Sequence, residues 1–208
     1  MQIDWMLKLR LRLRDQVRRL SADTGGIAAI EFAMLVPLML MVFFGTIQIS
    51  TAVAVDRKVS LTARTLSDLI SQNASVTSTI VSNAFATGLA MLSPYASAPL
   101  QSKITEIYID KTTLTPKVVW SSASNAAAHA CGDAVSVPAA LQIADTYLIL
   151  SEATYNYQPV VGYDIKLKFV SSTYPLSDSM FTRPRQSKCV LYPAATLCSS
   201  VPQTATTC

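Results

Sequence analysis

One carboxylate stands near the start of the longest apolar stretch of this chain, GGIAAIEFAMLVPLMLMVFFGTIQI, which covers residues 25–49. A charged side chain in the middle of a membrane costs about 3 kcal/mol unless it is neutralised or paired, so Glu31 requires a cationic partner. Cleavage between Gly26 and Ile27 would supply one, because the new α-amine of Ile27 would lie at the same depth. Within one chain more than a helical turn separates the two groups, so we expect a neighbouring subunit to provide the amine.

The element that must position these groups is a membrane-spanning helix. Residues 27–49 would extend for roughly 35 Å as a helix, which is enough to cross a hydrocarbon core of about 30 Å. Within it, Pro37 removes a helical hydrogen bond and predicts a kink about two turns after Glu31. Gly45 permits another helix to approach closely. Both residue types are also common in transmembrane helices without a special role.

Charge is concentrated before this segment. Residues 1–26 hold six basic and three acidic side chains, and the rest of the chain holds eleven basic and ten acidic ones. The basic residues of the leader are Lys8, Arg10, Arg12, Arg14, Arg18 and Arg19. A basic flank predicts a cytoplasmic N-terminus and a periplasmic C-terminal part. The leader is predicted to be an interfacial helix on anionic lipid, with a disordered basic tail as the alternative, and no nucleic-acid partner is expected.

The remainder predicts an α+β domain. Apolar residues at helical spacing continue after the membrane (Val55, Val59, Ala63, Leu66, Leu69 and Ile70), which favours one helix from about residue 27 to 72 and a second helix within 75–92. Residues 103–110 and 116–120 predict a hairpin or adjacent strands, and 145–159 and 165–170 predict further strands. Residues 121–136 predict a loop. The expected fold is a long N-terminal helix, first membrane-spanning and then periplasmic, packed on a small antiparallel sheet.

These patterns give five segments. They are a leader (1–26), a transmembrane helix (27–52), a periplasmic helical segment (53–98), a β-rich domain (99–181) and an irregular tail with cysteines (182–208). All four cysteines, Cys131, Cys189, Cys198 and Cys208, follow the membrane segment. An even number in an oxidising compartment predicts two disulfides. Three pairings are possible, and we favour Cys131 with Cys189 and Cys198 with Cys208.

No catalytic, cofactor or metal pattern is evident, which predicts a protein that is not an enzyme. The single histidine, His129, lies in an Ala-rich loop without a C-x-x-C pair or a nucleophile motif. A group of tyrosines (Tyr147, Tyr155, Tyr157 and Tyr163) is interpreted either as a contact surface or, more commonly, as half-buried sheet side chains.

Gly26 followed by IAAIEF, after a basic leader, resembles the type IV prepilin processing site. The wider stretch, through about residue 70, is similar to the TadE/TadG-like pseudopilins of the tight-adherence (Flp) pilus system. Ala28, Ala29, Glu31, Phe32 and Pro37 match that family's small-residue run, Glu-Phe pair and later proline. The resemblance implies a pilin-like fold and cleavage after Gly26 by a membrane-embedded aspartic prepilin peptidase. It also implies partnership with other pilins or pseudopilins and with the inner-membrane assembly platform.

Some larger members of that family carry a metal-dependent adhesion site, and Asp110 with Thr112 resembles its start. Leu114 stands where a hydroxyl residue is required, and the chain is too short for that fold. Asp110 is therefore predicted to be a turn residue.

A competing processing site leads to a different function. Ala52, Val53 and Ala54 form an A-x-A pattern that a general signal peptidase could cut, which would release a soluble protein beginning at Val55. The chain would then be a signal-anchored or secreted periplasmic binding module without a pilus role.

Overall fold

The computed structural model describes residues 25–159 and 173–192. The helices are α1 (Gly25–Ser71) and α2 (Ser78–Met91), with a short 3₁₀ helix at Ala139–Leu141. The strands are β1 (Leu100–Ile109), β2 (Pro116–Ser124), β3 (Thr146–Tyr157) and β4 (Tyr174–Thr182). A long helix followed by a small antiparallel sheet confirms the predicted α+β class. The chain consists of two compact units, with the boundary between Gln48 and Ile49.

Helix α1 is continuous over 47 residues and includes Pro37, which confirms the expected helix from the membrane segment to about residue 72. Its composition changes along its length. From Ile27 to Gln48 apolar side chains surround the helix, whereas beyond Val55 they occupy one face. A helix that is apolar all round belongs in lipid or among other helices, and a one-sided helix covers a core.

In the second unit, α1 packs against a second helix and a sheet. The predicted apolar face is confirmed: Val55, Val59, Ala63, Leu66 and Ile70 are buried, and Leu69 is partly buried. The ammonium of Lys58 donates hydrogen bonds to the carbonyl oxygens of Met91 (3.0 Å) and Ser93 (2.7 Å). These carbonyls end α2, and a cation there compensates their missing helical partners.

Strands run antiparallel in the order β2-β1-β3-β4. The β1–β2 hairpin and strand β3 confirm the sequence prediction. Two assignments need correction. Residues 121–124, predicted as loop, extend β2, because Ser121 and its neighbours pair with Thr105 and with the rest of the first half of β1. Strand β4, which pairs with β3, was not predicted as a separate element. The predicted strand 165–170 lies outside the described residues.

The sheet has one face against the helices. Ile104 and Ile149 on this face belong to the same core cluster as Leu66 and Ile70 of α1. Tyr147, Tyr155 and Tyr157 are all less than 8% exposed, so the interpretation as sheet core is confirmed for them. Tyr163 lies outside the described residues. Ile107, Ile109, Leu148 and Leu150 form a smaller cluster covered by Val135, Val137 and Phe181.

Residues 183–192, which follow β4, are irregular and are hydrogen-bonded to the rest of the second unit. The Trp120 indole N–H donates to the carbonyl oxygen of Val190 (2.9 Å), and the Val190 N–H donates to Oε1 of the buried Glu106 (2.6 Å). Backbone hydrogen bonds in both directions also join residues 74–76 to Leu191. Both polar groups of Val190 are thereby satisfied away from water.

Burial of Tyr147 predicts a loss of stability at alkaline pH. Burial, with the negative charge of Glu106 as the second cause, raises the pKa of Tyr147 from 10.0 to about 12. The folded protein therefore keeps a proton that the unfolded chain releases above pH 10. The stabilisation is complete below that pH and is lost as the pH rises to about 12. Urea unfolding should show that Tyr147 contributes about 2 kcal/mol to the fall in free energy of unfolding across this range.

The matched variant is Tyr147→Phe, which keeps the ring in the core. Its free energy of unfolding should fall less steeply than that of the wild type over the same pH range. Identical pH slopes for the two proteins would contradict the assignment.

Candidate functional site on the N-terminal helix

Both residues of the proposed scissile bond lie within the first turn of described helix. Gly26 is exposed, and a Cβ built on it meets no atom within 4 Å. Ile27 is 57% exposed. Each glycine lowers the stability of a helix by about 1 kcal/mol relative to alanine, so the Gly25–Gly26 pair reduces the free energy needed to unwind this turn. The bond is therefore accessible and locally weak, as a processing site requires.

Glu31 lies four residues after Ile27, on the same face of α1 and about 6 Å further along the axis. Its side chain is exposed, and no described residue forms a hydrogen bond or an ion pair with it. This spacing changes the geometric expectation drawn from the sequence. Residues at i and i+4 are helical neighbours, so an amine on Ile27 has two candidate carboxylates, its own Glu31 and that of a neighbour.

The face that carries Glu31 continues along the helix. Gly45 lies on the same face as Ile27 and Glu31, by the helical period of 3.6 residues, and a Cβ built on it also meets nothing within 4 Å. Thr46, near the end of the first unit, donates its hydroxyl to the carbonyl oxygen of Val42 (2.8 Å). Thr46 carries the one side-chain hydroxyl of residues 25–48. Because this hydroxyl donates within the helix, it needs no partner from an apolar surrounding.

The large apolar side chains of the first unit have no cover. Their exposed fractions lie between 39% and 75%, and the residues are Ile27, Ile30, Phe32, Met34, Leu35, Leu38, Met39, Leu40, Met41, Val42, Phe43, Phe44 and Ile47. A helix within Gly26–Ser71 is long and apolar enough to cross a membrane, with a mean hydropathy of 2.4 in its best window and none of that window buried. An uncovered surface of this kind needs lipid or other helices around it.

Asp110 behaves as predicted for a turn residue. Its Oδ1 accepts hydrogen bonds from the backbone N–H groups of Thr112 (2.8 Å) and Thr113 (2.9 Å), which hold the pKa of Asp110 below its ordinary value. Within the part of the chain that the structure describes, no three metal-binding side chains come together. The turn therefore closes the β1–β2 hairpin, and the Asp110 carboxylate in it already accepts hydrogen bonds from the backbone of the turn.

The sequence did not reveal a charged cluster on the sheet face opposite the helices. Lys103 and Glu152 are cross-strand partners in β1 and β3, with Lys103 Nζ 3.2 Å from Glu152 Oε2. His129 Nε2 lies 2.6 Å from the same oxygen. The alternation of β1 predicts which side of the sheet Lys103 occupies, but only the fold brings the loop residue His129 to it.

Neither Cys131 nor Cys189 is a free cysteine in the structure. Cys189 is fully buried in the main core cluster, together with Trp120. Cys198 and Cys208 lie outside the described residues, and the pairing of the four cysteines stays a prediction.

Comparison with protein families gives a match over the helix. The model of the TadE family, described as TadE-like protein, matches residues 26–66, which are 41 of the chain's 208 residues. The matched segment begins at Gly26 and includes Glu31, Phe32, Pro37 and Gly45. Comparison with curated proteins and with solved structures gives no match. The N-terminal helix is thus a TadE-like segment, consistent with a TadE-like protein of the tight-adherence pilus system.

Proposed function

We propose that this chain is a membrane-anchored, non-enzymatic pseudopilin that acts in the assembly of the tight-adherence pilus after cleavage behind Gly26. The observation that carries the proposal is the uncovered apolar helix, whose match to the TadE family begins at the proposed cleavage site. A helix with this surface needs lipid before assembly and other helices after it. Insertion in the membrane supplies the lipid, and bundling in a pilus then supplies the neighbouring helices.

The proposed topology follows from charge. The six basic side chains of the leader stay in the cytoplasm, and the part of the chain after residue 52 lies in the periplasm. A prepilin peptidase in the inner membrane removes residues 1–26. The mature chain then begins at Ile27, with its α-amine at the membrane surface and its folded unit ready for contacts with the assembly platform and other pilins.

Glu31 is proposed to act in assembly. After cleavage, the Ile27 amine and the Glu31 carboxylate are the two opposite charges at one end of an otherwise apolar helix. A pair desolvated between two subunits favours one axial position of one helix against the next, because a shifted neighbour would lose the pairing between subunits. The same amine can also pair with Glu31 of its own chain, so the assembly role is tested by pilus incorporation.

The experiment that tests the proposal is determination of the mature N-terminus in membrane and sheared-pilus fractions. We expect Ile27 in both. A mature chain that begins at Val55 would contradict the proposal, and so would a chain that retains Met1 in the membrane.

The alternative is a secreted or signal-anchored binding module, released by cleavage after Ala54. The structure gives a reason to disfavour this cut. Helix α1 runs through Ala52–Ala54 without interruption, Ala52 packs against a core cluster, and Val55 directly after the cut is fully buried. A peptidase would therefore have to unwind the edge of the folded unit. Normal piliation after deletion of this protein would favour the alternative.

Replacement of Glu31 by alanine should separate processing from assembly. We expect Glu31→Ala to mature normally, because the scissile bond and Gly26 are unchanged, and to be recovered in sheared pili at no more than about a tenth of the wild-type level. This corresponds to loss of about 1.4 kcal/mol from a partly desolvated charge pair. Quantitative immunoblotting of membrane and pilus fractions measures both steps.

The matched control is Met34→Ala on the same helix face, where the side chain is 75% exposed. It removes apolar surface but no charge and should keep incorporation near normal. Equal incorporation of the Glu31→Ala variant and the wild type would contradict the charge pairing.

A further inference from the structure

A cavity of about 620 Å³ lies in the second unit, on the face of the sheet that is turned away from the helices. Phe181 of β4 and Val135, both partly buried, form its apolar side, and Leu150 of β3, the cross-strand neighbour of Phe181, is only 3% exposed beneath them. His129, Asp133 and Glu152 line its polar side. Its size is within the range of small-ligand sites, which combine apolar walls with a few fixed polar groups. None of these residues takes part in the proposed pilus function.

The polar side is held in place by hydrogen bonds. The backbone N–H of His129 donates to Ser121 Oγ (3.2 Å), which is itself 2.9 Å from the hydroxyl oxygen of Thr105. His129 Nε2 lies 2.6 Å from Glu152 Oε2, within hydrogen-bonding distance, and 3.3 Å from Lys103 Nζ. Lys103 Nζ lies 3.2 Å from the same oxygen and places a positive charge beside Oε2. The loop is thereby fixed against the sheet before any ligand arrives.

This arrangement leaves acceptor capacity in the cavity. Both partners of Glu152 lie at Oε2, and no described residue donates to its Oε1. Asp133 accepts the Ala130 N–H at Oδ2 (3.1 Å), and no described residue donates to its Oδ1. The side chain of Glu152 is 29% exposed, so its carboxylate is partly removed from water. Two carboxylates with open oxygens thus face one cavity beside an apolar wall.

We propose that this cavity binds an alkyl chain that ends in a primary ammonium or a guanidinium group. The stem packs against Val135 and Phe181, and the cation donates to the open oxygens of Glu152 and Asp133. An anionic ligand would meet two carboxylates, and Lys103 lines a neighbouring cavity rather than this one. A purely apolar ligand would desolvate both carboxylates without pairing them, which is unfavourable. The same chemistry is offered by a free diamine and by a lysine side chain on a partner protein.

Calorimetric titration of the full chain in neutral detergent tests this inference. The probes are cadaverine, Nα-acetyl-lysine N-methylamide, and its neutral counterpart Nα-acetyl-norleucine N-methylamide. At least one cationic probe should bind at least tenfold more tightly than the neutral one. Tighter binding of cadaverine identifies a free amine as the ligand type, and tighter binding of the blocked lysine identifies a protein side chain. Equal binding of the neutral probe, or no binding of either cation, would overturn the proposal.

Variants locate the site. Glu152→Gln should weaken binding of the cationic probe about tenfold, because a charge-assisted hydrogen bond becomes a neutral one. Asp133→Asn, which leaves His129 and Lys103 on Glu152, should weaken it in the same direction. The control is Asp178→Asn, which removes an exposed carboxylate of β4 that does not line the cavity and should leave the affinity unchanged. Unchanged affinity in both cavity variants would place the binding elsewhere and refute the assignment.

Discussion

Gly26→Leu should abolish maturation and leave the chain longer by the 26 residues of its leader. Two physical effects act in the same direction. Leucine places a side chain directly before the scissile bond, where glycine lets a peptidase approach the backbone closely. It also favours the helical state of this turn by about 1 kcal/mol, which opposes the opening that cleavage requires. Mass spectrometry of the membrane fraction should find the precursor and no chain that begins at Ile27.

Gly45→Leu is the matched control. Both glycines lie in α1, and a Cβ built on either one meets no atom within 4 Å, so neither substitution disturbs the described fold. The Gly45 variant should be cut normally, and any defect it shows should appear at the later step of helix packing. Processing of Gly26→Leu at the wild-type rate would contradict the cleavage site itself.

The helical part of this fold could be predicted because its signals are local. The buried positions of α1 from Val55 to Ile70 repeat at helical spacing, and the apolar segment before them has membrane length. The β1–β2 hairpin could be predicted for the same reason, since two runs rich in β-branched and aromatic residues flank a turn that begins at Asp110. In such elements the sequence pattern and the tertiary environment agree.

The parts that sequence reasoning missed depend on distant contacts. Strand β4 begins YPLSDS, with one strongly apolar residue in six, and forms because β3 offers it a partner edge. His129 reads as part of an Ala-rich loop, and its meeting with Glu152, 23 positions later, needs the completed sheet. The residues after β4 carry turn-rich composition, yet Cys189 and Val190 are fully buried. No local pattern encodes these pairings, because each depends on where another element lies.

Trp120→Ala should be among the most destabilising substitutions in the second unit, residues 49–208. The Trp120 side chain is 1% exposed and forms an edge-to-face contact with Tyr192 at 5.2 Å between ring centroids. Loss of a buried tryptophan costs about 3–5 kcal/mol through lost burial and the cavity it leaves. The Val190 carbonyl oxygen, 70 residues away in sequence, would also lose the indole N–H that it accepts. For a chain of this size the sum corresponds to a fall in Tm of roughly 10–30 °C.

Two further variants show why the effect should be large. Trp120→Phe keeps an aromatic ring in the core but removes the N–H, so it should lose only about 1–3 kcal/mol, the cost of an unsatisfied buried acceptor. Tyr174→Ala removes an aromatic side chain that is 42% exposed on β4 and should change stability by less than about 1 kcal/mol. Thermal unfolding in detergent, followed by circular dichroism, should rank the losses in the order Trp120→Ala, Trp120→Phe, Tyr174→Ala. Equal losses for Trp120→Ala and Tyr174→Ala would contradict this role of the indole. If Trp120 holds the segment around Val190, its replacement by alanine must remove both the core contact and the hydrogen bond to the Val190 carbonyl oxygen.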